Sequence, residues 1–283
     1  MCGFPVGSAS IMADLPIPRR PFSVKRVPGF TTLALVTYVV LYAPIIILIV
    51  FSFNEGTSLA IWERTSLKWY ALAWKNDAVQ EAAIRSLVIA TIAASVATTI
   101  ATMAALATTR KKPFRGMTGI YALINQPLMV PEIVTAVALL IFFAMIKVAT
   151  GYTGIVFLIA AHTAFCTPFA YLPIRARLES MDLSLETAAA DLYATPWRAF
   201  RRVTLPLLWP GVIAGLMLAF VISLDDVVIT EFVKSAGQET LPTYMLGQLR
   251  RVVTPEVNAI STALLVAGVV LVTLFFLLNR RRV

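Results

Sequence analysis

The chain has 283 residues, of which 59% are hydrophobic and only 14% charged, with a mean hydropathy of +0.81 and a formal net charge of +9. Those values exclude an ordinary soluble domain, since a chain that apolar folds largely in lipid. The basic balance invites a nucleic-acid partner, but the positions of the charges follow membrane topology instead.

A hydrocarbon core of about 30 Å needs about 20 apolar residues per helix. Runs of that size begin after a polar segment, 1–30, which reads as a cytoplasmic tail in which Met12 is an alternative start to Met1. The first, Thr31 to Phe53, is too long and too late to be a cleaved signal peptide, so it is retained as a span. Ile84 to Ala107, Gly119 to Ile146, Gly154 to Ile174, Pro210 to Val233 and Asn258 to Leu278 follow. Continuous apolarity, with no alternation at period two, selects helices over a barrel, because a lone span must satisfy its own backbone groups. The expected fold is therefore an all-α polytopic membrane protein with six transmembrane helices over 31–279 and a short tail, 280–283, with membrane lipid as its solvent.

Most of the 24 Lys and Arg residues fall on alternate sides of these runs. With the N-terminus inside, the cytoplasmic segments carry Arg19, Arg20, Lys25 and Arg26, then Arg110, Lys111, Lys112 and Arg115. They continue with Arg175, Arg177, Arg198, Arg201 and Arg202, and end with Arg280, Arg281 and Arg282. The positive-inside rule then places both termini in the cytoplasm and leaves no basic patch for a nucleic acid.

Cys2 and Cys166 offer no disulfide framework, one lying in the tail and the other inside the fourth run. His162 stands alone near mid-span and reads as a packed or helix-bridging imidazole. No metal-ligand spacing, phosphate loop or nucleophile elbow occurs, so the expectation is a chain that is not an enzyme and holds no metal or cofactor.

One cytoplasmic loop, 175–208, is too long and too structured for a connector. In "RLESMDLSLETAAADLY", Leu183, Leu185, Ala188, Ala189 and Leu192 recur at helical spacing, with Asp182 or Ser184 available as an N-cap. "ATPWRAFRRVTLPLLWPG" then places Pro196 in the first turn of a second short helix, which Pro206 and Pro210 are expected to end before the fifth span.

This loop resembles the signature of ABC importer permeases: Glu-Ala-Ala, three residues, Gly, nine residues, Ile, one residue, Leu-Pro. Here Thr187, Ala188 and Ala189 are followed by Tyr193 in the Gly slot, then Val203, Leu205 and Pro206 at the same spacing. Two slots depart. Thr187 stands where the family has Glu, with Glu186 one place early and about 100° away around the helix. Tyr193 replaces a residue that takes φ > 0 easily, so it is strained or forces a different turn. "LYAPIIILIVFSFN", "VPEIVTAVALLIFF", "SLDDVVITEFV" and "LRRVVTPEVNAISTALL" extend the resemblance, in order, to the spermidine/putrescine permease branch.

The resemblance implies the ABC importer type I permease fold and a transport subunit for polyamines or a similar organic cation such as an opine. It implies a bacterial inner membrane location, an ATP-binding subunit pair carrying ATP and Mg, a second homologous permease and an extracytoplasmic polyamine-binding protein. It assigns ATPase coupling to Glu186, Thr187, Ala188, Ala189, Asp191, Leu192, Tyr193, Leu205 and Pro206. A self-sufficient secondary transporter is the rival class, and it would need related halves that the sequence does not display.

Carboxylates in an apolar helix are rarely without purpose. Counted at 1.5 Å per residue from Pro210, Asp225 lies about 22 Å into the core, and Glu132, fifteen residues past Met117, reaches about the same layer. Asp225, Asp226 and Glu132 are thus expected on the outer part of a permeation path whose partner is a protonated amine. Because neighbours on a helix diverge by about 100°, at most one Asp faces a pore; the other pairs with Arg250 or Arg251 or caps a helix. Glu132, after Pro131 and Pro127, equally caps a helix restarted past a proline break. Glu231 reads as a solvated residue at the outer boundary.

Overall fold

The computed structural model describes residues 29–58, 61–110, 114–251 and 255–280. The basic residues of the N-terminal tail, Cys2, Lys111, Lys112, Arg281 and Arg282 lie outside the described residues, as do the side chains of Arg251 and Arg280. Among the described residues everything regular is helical, apart from an isolated antiparallel bridge between Asn54 and Thr65. The chain divides into two units, Met1–Leu48 and Ile49–Val283. The first holds most of helix α1 (Phe30–Phe51).

Six helices are long and apolar enough to cross a membrane: Phe30–Phe51, Asp77–Thr109, Glu132–Thr150, Val156–Ser180, Pro196–Asp225 and Pro255–Leu274. The number agrees with the sequence reading, while several bounds do not. After α2 (Lys68–Lys75), helix α3 runs Asp77–Thr109, about two turns further out than the apolar run, because Asn76 caps it by accepting from the Ala78 amide at 3.1 Å. The Asn76 amide group also donates to Glu256 at 3.1 Å and Tyr244 at 3.3 Å, tying the start of α3 to two later helices.

The third expected span, Gly119 to Ile146, is not one helix. It divides into α4 (Met117–Met129) and α5 (Glu132–Thr150), and only α5 has the length and apolarity of a span. Pro131 is the cause: a residue preceding proline is driven from the α region, and Val130 sits at φ −96°, ψ 138°. The depth count along a single helix from Met117 therefore does not apply to Glu132, which starts α5 instead.

Helix α6 (Val156–Ser180) passes through Pro168 and Pro173 without ending. Side-chain hydroxyls bond back along it, Thr163 to the Ile159 carbonyl at 2.8 Å and Thr167 to the Thr163 carbonyl at 2.7 Å. The cytoplasmic loop carries α7 (Ser184–Asp191) and α8 (Pro196–Ala199). Contrary to expectation, Pro206 and Pro210 do not separate α8 from the fifth span. A π-turn, Phe200–Thr204, carries α8 directly into α9 (Leu205–Asp225), with Pro206 in the first turn of α9, where a missing N–H matters least. The wider register is visible in the Leu205 amide, which donates to the Phe200 carbonyl.

The far end of this span differs as well. The apolar run Pro210 to Val233 predicts one continuous span, but α9 stops at Asp225, Asp226 is extended (φ −64°, ψ 132°), and α10 (Val228–Val233) restarts the chain. Then come α11 (Leu241–Arg251), which lies outside the apolar runs, and α12 (Pro255–Arg280).

The core of the second unit is the trio α3, α6 and α9. Helix α3 presents Ala90, Ala94, Ala97, Ala101 and Ala105, all fully buried. Small residues matter here because lipid supplies no hydrophobic drive between helices, so association depends on close packing. On α9, a Cβ at Gly215 would stand 2.7 Å from the Ala170 carbonyl of α6, and one at Gly211 2.6 Å from the Arg177 Cβ. Only glycine admits that crossing. A second cluster, Val79, Ala82, Leu241 and Ile260, joins α3 to α11 and α12.

Candidate functional site

The break between α9 and α10 is built around Asp226. Its Oδ1 accepts from the Ile229 amide at 3.2 Å, and its Oδ2 accepts from the Thr230 amide and the Thr230 hydroxyl, both at 2.8 Å. Asp226 therefore caps α10, placing its charge at the positive end of that helix. From α6, the buried His162 reaches both sides of the break. Nδ1 lies 2.8 Å from the Ser223 hydroxyl on α9, and Nε2 lies 2.9 Å from the Thr230 hydroxyl and 3.5 Å from Asp226 Oδ2. Because Thr230 spends its only proton on Asp226, its oxygen accepts from His162 Nε2–H, while Nδ1 bonds with the Ser223 hydroxyl. His162 is thus a helix-bridging imidazole.

The two neighbouring carboxylates have opposite surroundings. Asp226 is buried, whereas Asp225, the last residue of α9, is exposed. Glu132, half-buried at the start of α5, is a close neighbour of Asp226, and α5 packs along α10. Asp225, Asp226 and Glu132 accordingly gather where two spans are interrupted, one by Pro131 and the other by the Asp226 cap. Arg250 pairs with neither aspartate. It stands 3.8 Å from Glu231, which also meets Lys234 at 2.9 Å, so Glu231 belongs to a charge cluster with both. The part of the site that sequence reasoning missed is Ser223 and Thr230. Their only signal is their spacing about the Asp pair, at the depth of His162.

The second site is the cytoplasmic loop. Helix α7 ends in a Schellman turn: the Tyr193 amide donates to the Ala190 carbonyl at 2.9 Å and the Ala194 amide to the Ala189 carbonyl at 3.0 Å. That motif needs a left-handed residue, and Tyr193 supplies it at φ 56°. Tyr193 keeps the turn that glycine makes elsewhere and accepts the strain, about 1–2 kcal/mol for a residue with a Cβ.

Around that turn the apolar side chains face outward. Tyr193 is 95% exposed, Leu192 82% and Trp197 68%, with Leu183 and Leu185 also exposed. Thr187, Ala188, Asp191 and Pro206 are exposed, while Ala189 and Leu205 are half-buried. The Thr187 hydroxyl donates to the Leu183 carbonyl at 3.1 Å, and neither Asp182 nor Ser184 is the N-cap, which is Leu183. Asp182 accepts instead from the Ser184 amide at 2.8 Å, which holds its carboxyl below the usual range. Glu186 turns toward its own chain, where Oε1 accepts from Arg110 Nε at 3.1 Å and from the Thr204 hydroxyl at 3.2 Å.

Among the described residues no group of three or more His, Cys, Asp or Glu side chains is placed to hold a metal ion. What this geometry offers is two interrupted helices with an exposed carboxylate at one end and an outward apolar knob at the other.

Known proteins resemble this chain in sequence and in fold. The family described as "Binding-protein-dependent transport system inner membrane component" matches residues 97–281. The chain is 37% identical over 273 residues to the putrescine transport system permease protein PotI of Escherichia coli (strain K12), covering 95% of each chain. It is 38% identical over 244 residues to the spermidine/putrescine transport system permease protein PotC of the same strain, covering 86% of this chain and 90% of that one. A crystal structure of a bacterial ABC transporter involved in import of the acidic polysaccharide alginate aligns with a TM-score of 0.68 at 15% identity, covering 89% of this chain and 94% of its own. The MetNI methionine ABC transporter in an inward-facing form aligns at 0.58 with 18% identity, covering 75% and 95%. At such identities the two structures support the fold alone.

Proposed function

Because the chain belongs to the family of binding-protein-dependent transport system inner membrane components, we propose that it is the membrane-spanning subunit of an ATP-driven importer of polyamines such as putrescine and spermidine. It hydrolyses nothing itself; ATP and magnesium are held by a pair of ATP-binding subunits docked on the loop 175–208. A second, homologous permease completes the path, and an extracytoplasmic binding protein delivers the substrate. Both termini face the cytoplasm, as the excess of Arg and Lys on that side requires.

The observation that carries the reading is Asp225: an exposed carboxylate at the end of an apolar span, next in sequence to Asp226, which Glu132 at the start of another span approaches. Polyamines are methylene chains with an ammonium at each end. A path suited to them sets carboxylates among apolar walls and holds the cation weakly, since it must release what it admits. Asp226, buried and saturated by donors, fixes the shape of this region while Asp225 and Glu132 meet the passing ammonium. On the cytoplasmic side, Ala188, Ala189, Leu192 and Tyr193 enter the ATPase cleft.

The test is detergent extraction through a tag on this chain, followed by mass spectrometry of the co-purifying chains. An ATP-binding subunit and a second permease are expected in stoichiometric amounts. Recovery of the chain with neither would leave a self-sufficient transporter as the better account.

A further inference from the structure

Glu186 sits at the meeting point of three elements. It lies in the first turn of α7, and its Oε1 receives Arg110 Nε, from the residue that caps the C-terminus of α3, at 3.1 Å. The same oxygen receives the hydroxyl of Thr204, the last residue of the π-turn, at 3.2 Å. Both charges suit the helix ends they occupy, the guanidinium at the negative end of α3 and the carboxylate at the positive end of α7. Among the described residues this is the only ion pair joining the loop helix to a span. The two side chains are 16% and 26% exposed, so the pair is shielded enough to matter, unlike a freely solvated one.

Its position has a mechanical consequence. Helix α7 presents its apolar knob on the outside and Glu186 on the inside, so a load on the knob reaches Glu186 within one short rigid helix. From there one branch runs through Arg110 into α3, and the other through Thr204 into α9. Those spans pack against each other in the core. The π-turn lies on the second branch. A widened register of this kind marks a place where a helix can change its hydrogen bonding by one residue without unfolding. The joint is also incomplete: Arg110 Nη2 is buried and has no partner among the described residues. A single-bonded arrangement is easier to exchange than a two-pronged fork.

We propose that Glu186, Arg110 and Thr204 form the joint through which movement of the cytoplasmic loop reaches α3 and α9. They are positioning residues, and Glu186 does not touch the ATPase. The proposal rests on the reading of the loop as the ATPase-docking element.

The experiment uses the whole transporter, purified from the native membrane through a tag on this chain and reconstituted with its binding protein. It measures labelled putrescine moved per ATP hydrolysed. Glu186→Gln and Arg110→Gln should retain the ATPase at wild-type stoichiometry while lowering that ratio at least about fivefold, the scale of a modest coupling between sites. The exchange Arg110→Glu with Glu186→Arg should recover more than half of the loss. A purely structural role would lower both activities together and leave the ratio unchanged, which would overturn the proposal. So would loss of the ATPase from the Glu186→Gln complex alone, since Glu186 would then contact the partner directly. If the charge variants fail to accumulate, Thr204→Val, which keeps the ion pair, decides by the same ratio. Failure of the docking reading shows itself separately, as an Ala189→Asp variant that retains both the ATPase and transport.

Discussion

Asp225 and Asp226 are adjacent in sequence yet differ in their surroundings, because among the described residues donors gather on Asp226 alone. Asp226 receives three hydrogen bonds and stands 3.5 Å from His162, so replacing it removes a helix cap inside the membrane. Asp226→Ala should lower the stability of the purified protein by about 1–3 kcal/mol, the range for stranding buried polar groups. Asp225→Asn should change stability by less than about 0.5 kcal/mol, as exposed substitutions do, while cutting uptake. Thermal unfolding in detergent beside uptake in cells separates the two, and equal losses of stability would show that both aspartates are structural. The sequence already implied that two carboxylates about 100° apart could not share one task. What it could not assign was which one caps, because that depends on Ser223, Thr230 and a histidine more than 60 positions away. Even His162 was legible only as a bridge, without its ends.

Helices follow the same logic. Span number and type could be read from apolarity, since a backbone in lipid has few solutions, but the ends of spans depend on local groups that carry little hydropathy. Asn76 extends α3, Pro131 divides the third run, and the Asp226 cap divides the fifth, whereas Pro168, Pro173 and Pro210 interrupt nothing. Proline is therefore an ambiguous sign in a membrane helix: neighbours and hydroxyls make good the lost bond in one place and not in another. The crossing of α6 and α9 gives a direct check. Gly215→Ala would drive a methyl to within 2.7 Å of a backbone carbonyl and should cost about 1–3 kcal/mol. Gly268→Ala, with nothing within 4 Å, should be silent in the same thermal assay, and a silent Gly215→Ala would mean the helices cross further apart than described. In the loop, Ala189→Asp would bury a charge on docking at a cost of roughly several kcal/mol. Transport and ATPase recovery should collapse while the permease still inserts. The apolar period of α7 was legible in advance; the inward turn of Glu186 was not, since it needs Arg110 from another span.

For the whole molecule the governing asymmetry is electrical. Basic residues gather at the ends of alternate spans, and the loop with the outward apolar knob lies among them, the side that the proposed orientation makes cytoplasmic. Reporter fusions after Lys112, Arg202 and Arg281 should report cytoplasm, and fusions after Lys75, Gly151 and Gln238 the outside. Inversion at any two of these sites would defeat the orientation. On the proposed reading the acidic site lies toward the opposite face, and cargo and energy would enter from different sides.

That separation makes accumulation of cargo the most direct measurement. The complete transporter should be reconstituted in vesicles with ATP at the face bearing the ATPase, and its binding protein and labelled putrescine at the other. Putrescine should then accumulate against its gradient only when both ATP and binding protein are present, and much less with Asp225→Asn. Equal putrescine entry with and without ATP, or ATP-driven uptake of other solutes while putrescine stays outside, would contradict the account.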